Sequence, residues 1–350
     1  MSFNEHELFF HLIMLVLLSF LGGKQLDNSF VLPCIFVCLT QLTLVYNASC
    51  QFLTVLFIFF ADDSLIMHLA KTPNLSPEYF SWDYRLQLIA LGFGFYTSVF
   101  LLSHLLSLLL SQTYNSLLSK EKVFWNLAAT RAAFGIQSSV AGLRALTEDS
   151  DLSRDKVRGQ EDWSWFHLLT ATGFFFFENV ALHTSSVVFG SFDIPLATHH
   201  FFALAGFAGA VVWDSQGHFL AMVTLLLEMS TPFTCISWML LKAGWARTLF
   251  WRANQWVMIH MFHCRMVLTY YMWWIAVTHW SELSTYVALS QRLLFFSGLA
   301  LLTLIINPIW THKKTMQLLN PVDWNFDNKP VPEKGKEDSR AEAVSKPKSN

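Results

Sequence analysis

From residue 86 onward, long apolar runs alternate with short polar connectors. The runs fall near 86–110, 122–146, 163–189, 192–213, 217–241, 252–277 and 288–310. Each holds about 20 or more residues, the length a helix needs to cross ~30 Å of hydrocarbon at ~1.5 Å per residue. Within a bilayer a lone segment must satisfy its own backbone N–H and C=O groups, so runs of this length predict helices. Seven of them predict an all-α fold, a polytopic bundle of about seven transmembrane helices. The pattern upstream is poorer. Residues 8–22 are short for a span, and 30–60 carry Pro33 and Asn47 and read as one or two passes. Residues 61–85 are polar.

Several runs carry a charged or imidazole side chain in their middle: Arg131, Glu178, His199, His200, Glu228, His260, His263 and Arg265. A charge at bilayer depth costs on the order of 2.5–3.5 kcal/mol even on the lenient insertion scale. Such groups must face one another or a wet hollow. One reading is that the two arginines pair with the two glutamates and fix helix register. The other is that these side chains form the polar floor of a lipid-headgroup cavity.

Composition agrees with a membrane protein. The 350 residues are 53% hydrophobic and only 14% charged, against about a quarter charged in ordinary soluble domains. The net charge of −2 gives no reason to expect a nucleic-acid partner. Trp163, Trp165, Trp213, Trp251, Trp280 and Trp310 stand near run ends, where indole rings anchor at headgroup depth. Connector 147–162 has six acids against three bases, whereas 242–252 holds Lys242, Arg247 and Arg252 with no acid. Basic short loops stay in the cytosol, so 242–252 and the C-terminus are expected there, with 147–162 and 279–287 in the lumen. The hollow is then expected in the cytosolic half of the bundle.

The chemistry centres on His199-His200. Adjacent helical residues point about 100° apart, so one imidazole can face a cavity while the other holds a neighbouring helix. A neutral imidazole acts as general base or nucleophile near neutral pH, and Glu228 is placed to orient it. Pro232 lacks the N–H that would donate to the Glu228 carbonyl four residues earlier, which predicts a bend and a freed acceptor there. His260 and His263 share a helix face, and packing or hydrogen bonding is expected of them rather than metal ligation. No metal and no bound cofactor are expected. Cys34, Cys38, Cys50, Cys235 and Cys264 all lie in apolar stretches and read as small buried hydrophobes. Asn74 heads an Asn-Leu-Ser sequon in the segment expected in the lumen. Lys346 and Lys348, fifth and third from the end, match a dilysine-type retrieval signal.

Several segments are then recognisable: TYNSLLSKEKVFWNLAATRAAFGIQSS (113–139), ATGFFFFENVALH (171–183), HHFFALAGFAG (199–209), HFLAMVTLLLEMSTP (218–232) and NQWVMIHMFHCRMVLTYYMWW (254–274). They resemble the TLC-domain family, which includes the ceramide synthases, and specifically an endoplasmic reticulum branch linked to neuronal ceroid lipofuscinosis. The likeness covers about 79–326. It implies residence in the endoplasmic reticulum membrane with cycling to the intermediate compartment, and a part in lipid homeostasis. Most concretely it implies acyl transfer from acyl-CoA, a co-substrate, to a lipid hydroxyl or amine. His199, His200 and Glu228 would be catalytic; Arg131, Arg265, Glu178, His260 and His263 would bind a headgroup or phosphate. The alternative it implies is a cargo receptor that exports newly made lysosomal enzymes. Its partners would be membrane lipids, COPI and COPII coats and lumenal lysosomal-enzyme cargo, with Lys346 and Lys348 serving retrieval. One departure stands out. The second carboxylate of the synthases' acidic motif falls on Thr231, which puts acylation of a sphingoid base in doubt.

The expected organisation is 1–66 as a hydrophobic extension whose place in the mature protein is open, 67–85 as a polar lumenal segment, 86–318 as the TLC-type transmembrane domain and 319–350 as a disordered cytosolic tail.

Overall fold

A computed structural model of the chain describes residues 76–190, 192–213 and 216–326. The expectations for 1–66, Asn74, Cys34, Cys38, Cys50, Lys346 and Lys348 lie outside them. The chain enters through a short 3-10 turn, Pro77–Phe80. The helices are α1 Trp82–Leu110, α2 Gln112–Ser116, α3 Ser119–Thr147, α4 Asp151–Arg154, α5 Asp162–Phe189, α6 Ile194–Val212, α7 Phe219–Leu226, α8 Thr231–Lys242, α9 Leu249–Thr278, α10 Trp280–Tyr286, α11 Leu289–Leu301 and α12 Asn307–Leu319. A 3-10 turn joins α7 to α8, and a π-helical turn, Leu302–Ile306, joins α11 to α12. The described residues thus form seven long helical segments, each on one of the seven apolar runs. Four are long and apolar enough to cross a membrane on length and composition alone: α1, α6, α7–α8 and α11–α12. The other three, α3, α5 and α9, carry Arg131, Glu178 and Arg265, the polar groups of the interior. The protein is an all-α polytopic membrane protein.

Neighbouring segments pack in a cycle: α3 against α5, α5 against α6, α6 against α11, α12 against α9, α9 against α8, and α7 and α8 back against α3. Helix α1 stands outside this six-segment ring, against α3 and α5. Close approach depends on glycine where backbones meet. A Cβ at Gly135 would lie 2.9 Å from the Glu228 carbonyl oxygen and 2.7 Å from Pro232 Cδ, and one at Gly142 would lie 2.8 Å from the Met222 oxygen. These two positions, seven apart on α3, let that helix seat against α7 and the bend that follows it.

The ring is fastened at both ends. At one end Lys242 pairs with Glu121 at the start of α3 and, at 2.6 Å, with Asp323. Trp238 Nε1 donates to Asp323 at 3.2 Å, and Phe326 packs against Phe124 and Trp238. Residues 321–326 therefore form a strap across that end. At the other end buried Arg85 donates to the carbonyls of Tyr79 (2.5 Å) and Val211 (2.8 Å), and its guanidinium lies 4.6 Å from the Trp165 ring centre. His218 meets Ser164 at 2.9 Å and the edge of Trp165. Connector 147–162 is folded onto this end: Gly217 N–H donates to Val157 and His218 N–H to Gly159. Its Asp155 carboxyl is pushed up by burial. The N–H groups of Arg158 and Val157 and the Arg158 guanidinium outweigh that and hold it below the usual carboxylate range.

Two expectations are corrected. Trp165 and Trp251 are fully buried packing residues, and Trp310 lies against His199 inside the ring, so these three are not interfacial anchors. Pro232 does not leave an open acceptor. The helix tightens to 3-10 over Leu227–Ser230, and Thr231 N–H donates to the Glu228 carbonyl. Cys235 and Cys264 are free thiols, Cys235 buried and Cys264 partly so.

Substituting Gly142 by Leu is expected to destabilise the ring by about 1–3 kcal/mol through overpacking, read as a lower thermal midpoint in nanodiscs. Gly94→Ala meets open space and is the control expected not to lower the midpoint.

Candidate functional site

The buried polar side chains form two adjoining groups. In the first, the Arg131 fork on α3 grips Glu178 Oε1 on α5, with Nε donating at 2.8 Å and Nη2 donating to the same oxygen. Glu178 has no exposed surface. His200 Nε2 on α6 stands 3.7 Å from that oxygen, and Asn179 donates to the His200 carbonyl at 3.1 Å. Three helices are joined through one carboxylate. A buried ion pair broken on one side leaves an uncompensated charge, which makes such a pair a strong register constraint.

The second group is His199 on α6, Glu228 at the bend between α7 and α8, and Arg265 on α9. All three line one hollow inside the ring. Glu228 Oε2 accepts from Thr231 Oγ1 at 2.5 Å. Arg265 Nη1 donates to Ser230 Oγ at 2.9 Å, while its Nε and Nη2 are buried and have no partner. The Arg265 guanidinium also lies 5.1 Å from the Phe262 ring centre and 5.8 Å from that of Trp310. The His199 and His200 rings are 5.2 Å apart and link the two groups.

The hollow runs on from these residues between α6, α7, α9 and α11, past Phe207, Ala210, Leu220, Met272 and Leu299, to Lys156, Gln216, Gln291 and Arg292. Along α6 it spans His199 to Ala210, about 16 Å at ~1.5 Å per residue. Its volume is about 140 Å³. Spread over that length, it is a slot one alkyl chain wide.

The structure thus separates the expected site residues. Only one of the two arginine–glutamate pairs forms: Arg131 is committed to Glu178, and Arg265 and Glu228 instead bond to Ser230 and Thr231. His199 faces the slot and His200 does not line it, the division expected of adjacent helical residues. His260 and His263 are not among the lining residues; their Nδ1 atoms meet the carbonyls of Trp256 and Ile259 one turn back on α9. A headgroup held by these two histidines would therefore lie outside this hollow. The expected position of the hollow is corrected. It extends from the charged floor toward the end that carries 147–162, not toward the strapped end. Among the described residues no three His, Cys, Asp or Glu side chains come together as a metal site. Sequence reasoning missed Gln291 and Arg292. Their signal, two polar residues at the head of an apolar run, is also the ordinary signature of a helix flank.

A family model described as TLC domain matches residues 124–314, from α3 to α12. The chain belongs to the TLC-domain family. The match begins within α3 and ends within α12, so α1 lies outside the matched residues. Among similar relatives are Protein CLN8 of Canis lupus familiaris, 64% identical, and Protein CLN8 of Homo sapiens, 63% identical. Each aligns over 249 residues, 71% of this chain, covering 86% and 87% of those proteins respectively. Protein CLN8 of Mus musculus is 62% identical over the same length. No solved structure matches. Where the TLC synthases' acidic motif implies a second carboxylate, this chain has Thr231, and its hydroxyl bonds to the first carboxylate.

Replacing Arg131 by Met strands Glu178 and is expected to cost about 3–5 kcal/mol, whereas the double variant Arg131→Met/Glu178→Met recovers most of the loss. Thermal unfolding in nanodiscs reads both. A double variant no more stable than the single would show that the pair does not set the register.

Proposed function

We propose that this TLC-domain protein is an acyltransferase of the endoplasmic reticulum membrane that moves an acyl group from acyl-CoA to a lipid hydroxyl or amine. The observation that carries this reading is the meeting of His199, Glu228 and the unsatisfied Arg265 at one end of an apolar slot. A fatty acyl chain would lie in the slot and bring its thioester carbonyl to His199. His199 then takes the acceptor's proton as the acceptor oxygen or nitrogen attacks that carbonyl. The negative charge that develops on the carbonyl oxygen falls beside the free Arg265 nitrogens, the arrangement that stabilises an oxyanion. As the C–S bond breaks, His199 passes its proton to the departing CoA thiolate. His200, held near Glu178, positions the α6 backbone and not the reacting atoms. Arg131 spends its Nε and Nη2 on Glu178 and does not line the slot, so Arg265 is the arginine for the ligand. Lys120 and Lys122 at the start of α3 and Arg247 and Arg252 around the start of α9 belong to the strapped end of the ring and suit the phosphates of CoA; by the Lys/Arg bias this end is expected in the cytosol.

A second reading rests on the folded, strongly charged connector 147–162. Its Asp149, Asp151 and Arg154 side chains are 82%, 58% and 62% exposed. In that reading the protein is a receptor that holds lysosomal-enzyme cargo on this surface and travels with COPI and COPII coats, and Lys346 and Lys348 serve retrieval. The slot then holds a structural lipid.

Purified protein in nanodiscs, given radiolabelled acyl-CoA and a panel of lysophospholipid and sphingoid acceptors, is expected to form acylated product. His199→Ala is expected to lower the rate by about 10²–10⁴-fold. Absence of transfer to every acceptor, or full activity in His199→Ala, would remove the acyltransferase reading. Loss of enzyme export on deletion of 149–158 would then favour the receptor.

A further inference from the structure

The far end of the slot has a chemistry of its own. Lys156, Gln216, Gln291 and Arg292 line it, and among the described residues Glu228, at the opposite end, is the carboxylate that lines the hollow. Arg292 Nε is buried without a hydrogen-bond partner. Gln291 is 5% exposed; its Nε2 donates to the Gly206 carbonyl at 3.1 Å and its Oε1 has no partner. Both residues sit in the first turn of α11, whose N-terminus has no side-chain cap and carries the positive end of the helix dipole. A cation with a dry, unsatisfied nitrogen at the mouth of an apolar slot is costly unless something anionic meets it. The acyl chain of a donor bound at His199 would present only its methyl end here and leave the Arg292 Nε–H without an acceptor.

We infer that the far end is an anion site for the head of a single-chain lipid, a phosphate or carboxylate held by Arg292 and Lys156, whose chain runs inward toward His199. The slot is one chain wide, so this lipid and the acyl chain of a donor exclude one another. The competition, but not the binding, rests on the proposed acyl transfer. Gln291 Nε2 is spent on the Gly206 carbonyl, so its unpaired Oε1 is an acceptor for a head-group hydroxyl beside the anion, not for the anion itself.

The test uses the full chain in phosphatidylcholine nanodiscs, with 1-oleoyl lysophosphatidate, 1-monoolein and inorganic phosphate as probes. Lysophosphatidate is expected to bind one to one. Arg292→Gln is expected to weaken it by about tenfold or more, the worth of a hydrogen bond to a charged group, while Arg292→Lys restores part of the loss. Monoolein binding should not respond to either variant. Should Arg292→Gln not fold, Lys156→Gln is read by the same criterion. Equal binding of lysophosphatidate and monoolein, or no response to the variants, overturns the inference. Inorganic phosphate that displaces lysophosphatidate as well as unlabelled lysophosphatidate does would reassign the site to a free anion and overturn the lipid. If the wild-type chain transfers no acyl group yet Arg292-dependent binding persists, the acyltransferase reading falls and this site stands.

Discussion

The bundle is organised by one carboxylate. Glu178, with no access to solvent, takes both donors of the Arg131 fork from α3 and stands beside His200 of α6. In hydrocarbon neither charge is tolerable alone, so the pairing fixes how α3, α5 and α6 rotate about their axes. That rotation decides which of two neighbouring imidazoles looks inward. With His200 turned toward Glu178, His199 is left on the slot wall opposite Glu228 and Arg265. The glycines at 135 and 142 then let α3 sit close enough to α7 and the 3-10 turn to carry Glu228 into the same place.

The two charged groups differ in kind. Arg131 and Glu178 satisfy each other, and their worth is structural. Arg265 is held by one hydroxyl and two aromatic rings and keeps two nitrogens unmet; at the other end Arg292 keeps one, its Nε. A ring of apolar helices that leaves guanidinium nitrogens dry at both ends of a chain-wide slot is shaped for amphiphiles with oxygen-rich ends. The strap of residues 321–326, anchored by Asp323 on Lys242 and Trp238 and by Phe326 on Phe124, ties the end of α8 to the start of α3.

The seven runs of apolar residues were enough to place all seven long helical segments, because length in hydrocarbon and internal backbone bonding leave no other element. The ion pair and the split between His199 and His200 also follow from simple rules about charge and the ~100° step of a helix. Other features were hidden because they depend on which face of a helix the ring closes upon. His260 and His263 look like their neighbour Arg265 along the chain, yet only Arg265 points inward. Arg85 and His218 stand near helix ends, where polar residues usually meet water, and here they are packed against Trp165. The bend at Pro232 was legible, but its remedy was not: a 3-10 turn restores the acceptor bond from Thr231, and no local sequence signal distinguishes that from an open carbonyl.

An experimental density map of the full chain in a lipid nanodisc tests the account most directly. The account predicts the Arg131–Glu178 pair inside a closed six-segment ring, and rod-shaped density in the slot reaching from Arg265 toward Arg292. A map in which these side chains face the surrounding acyl chains, or in which the slot is filled by protein side chains, would contradict it.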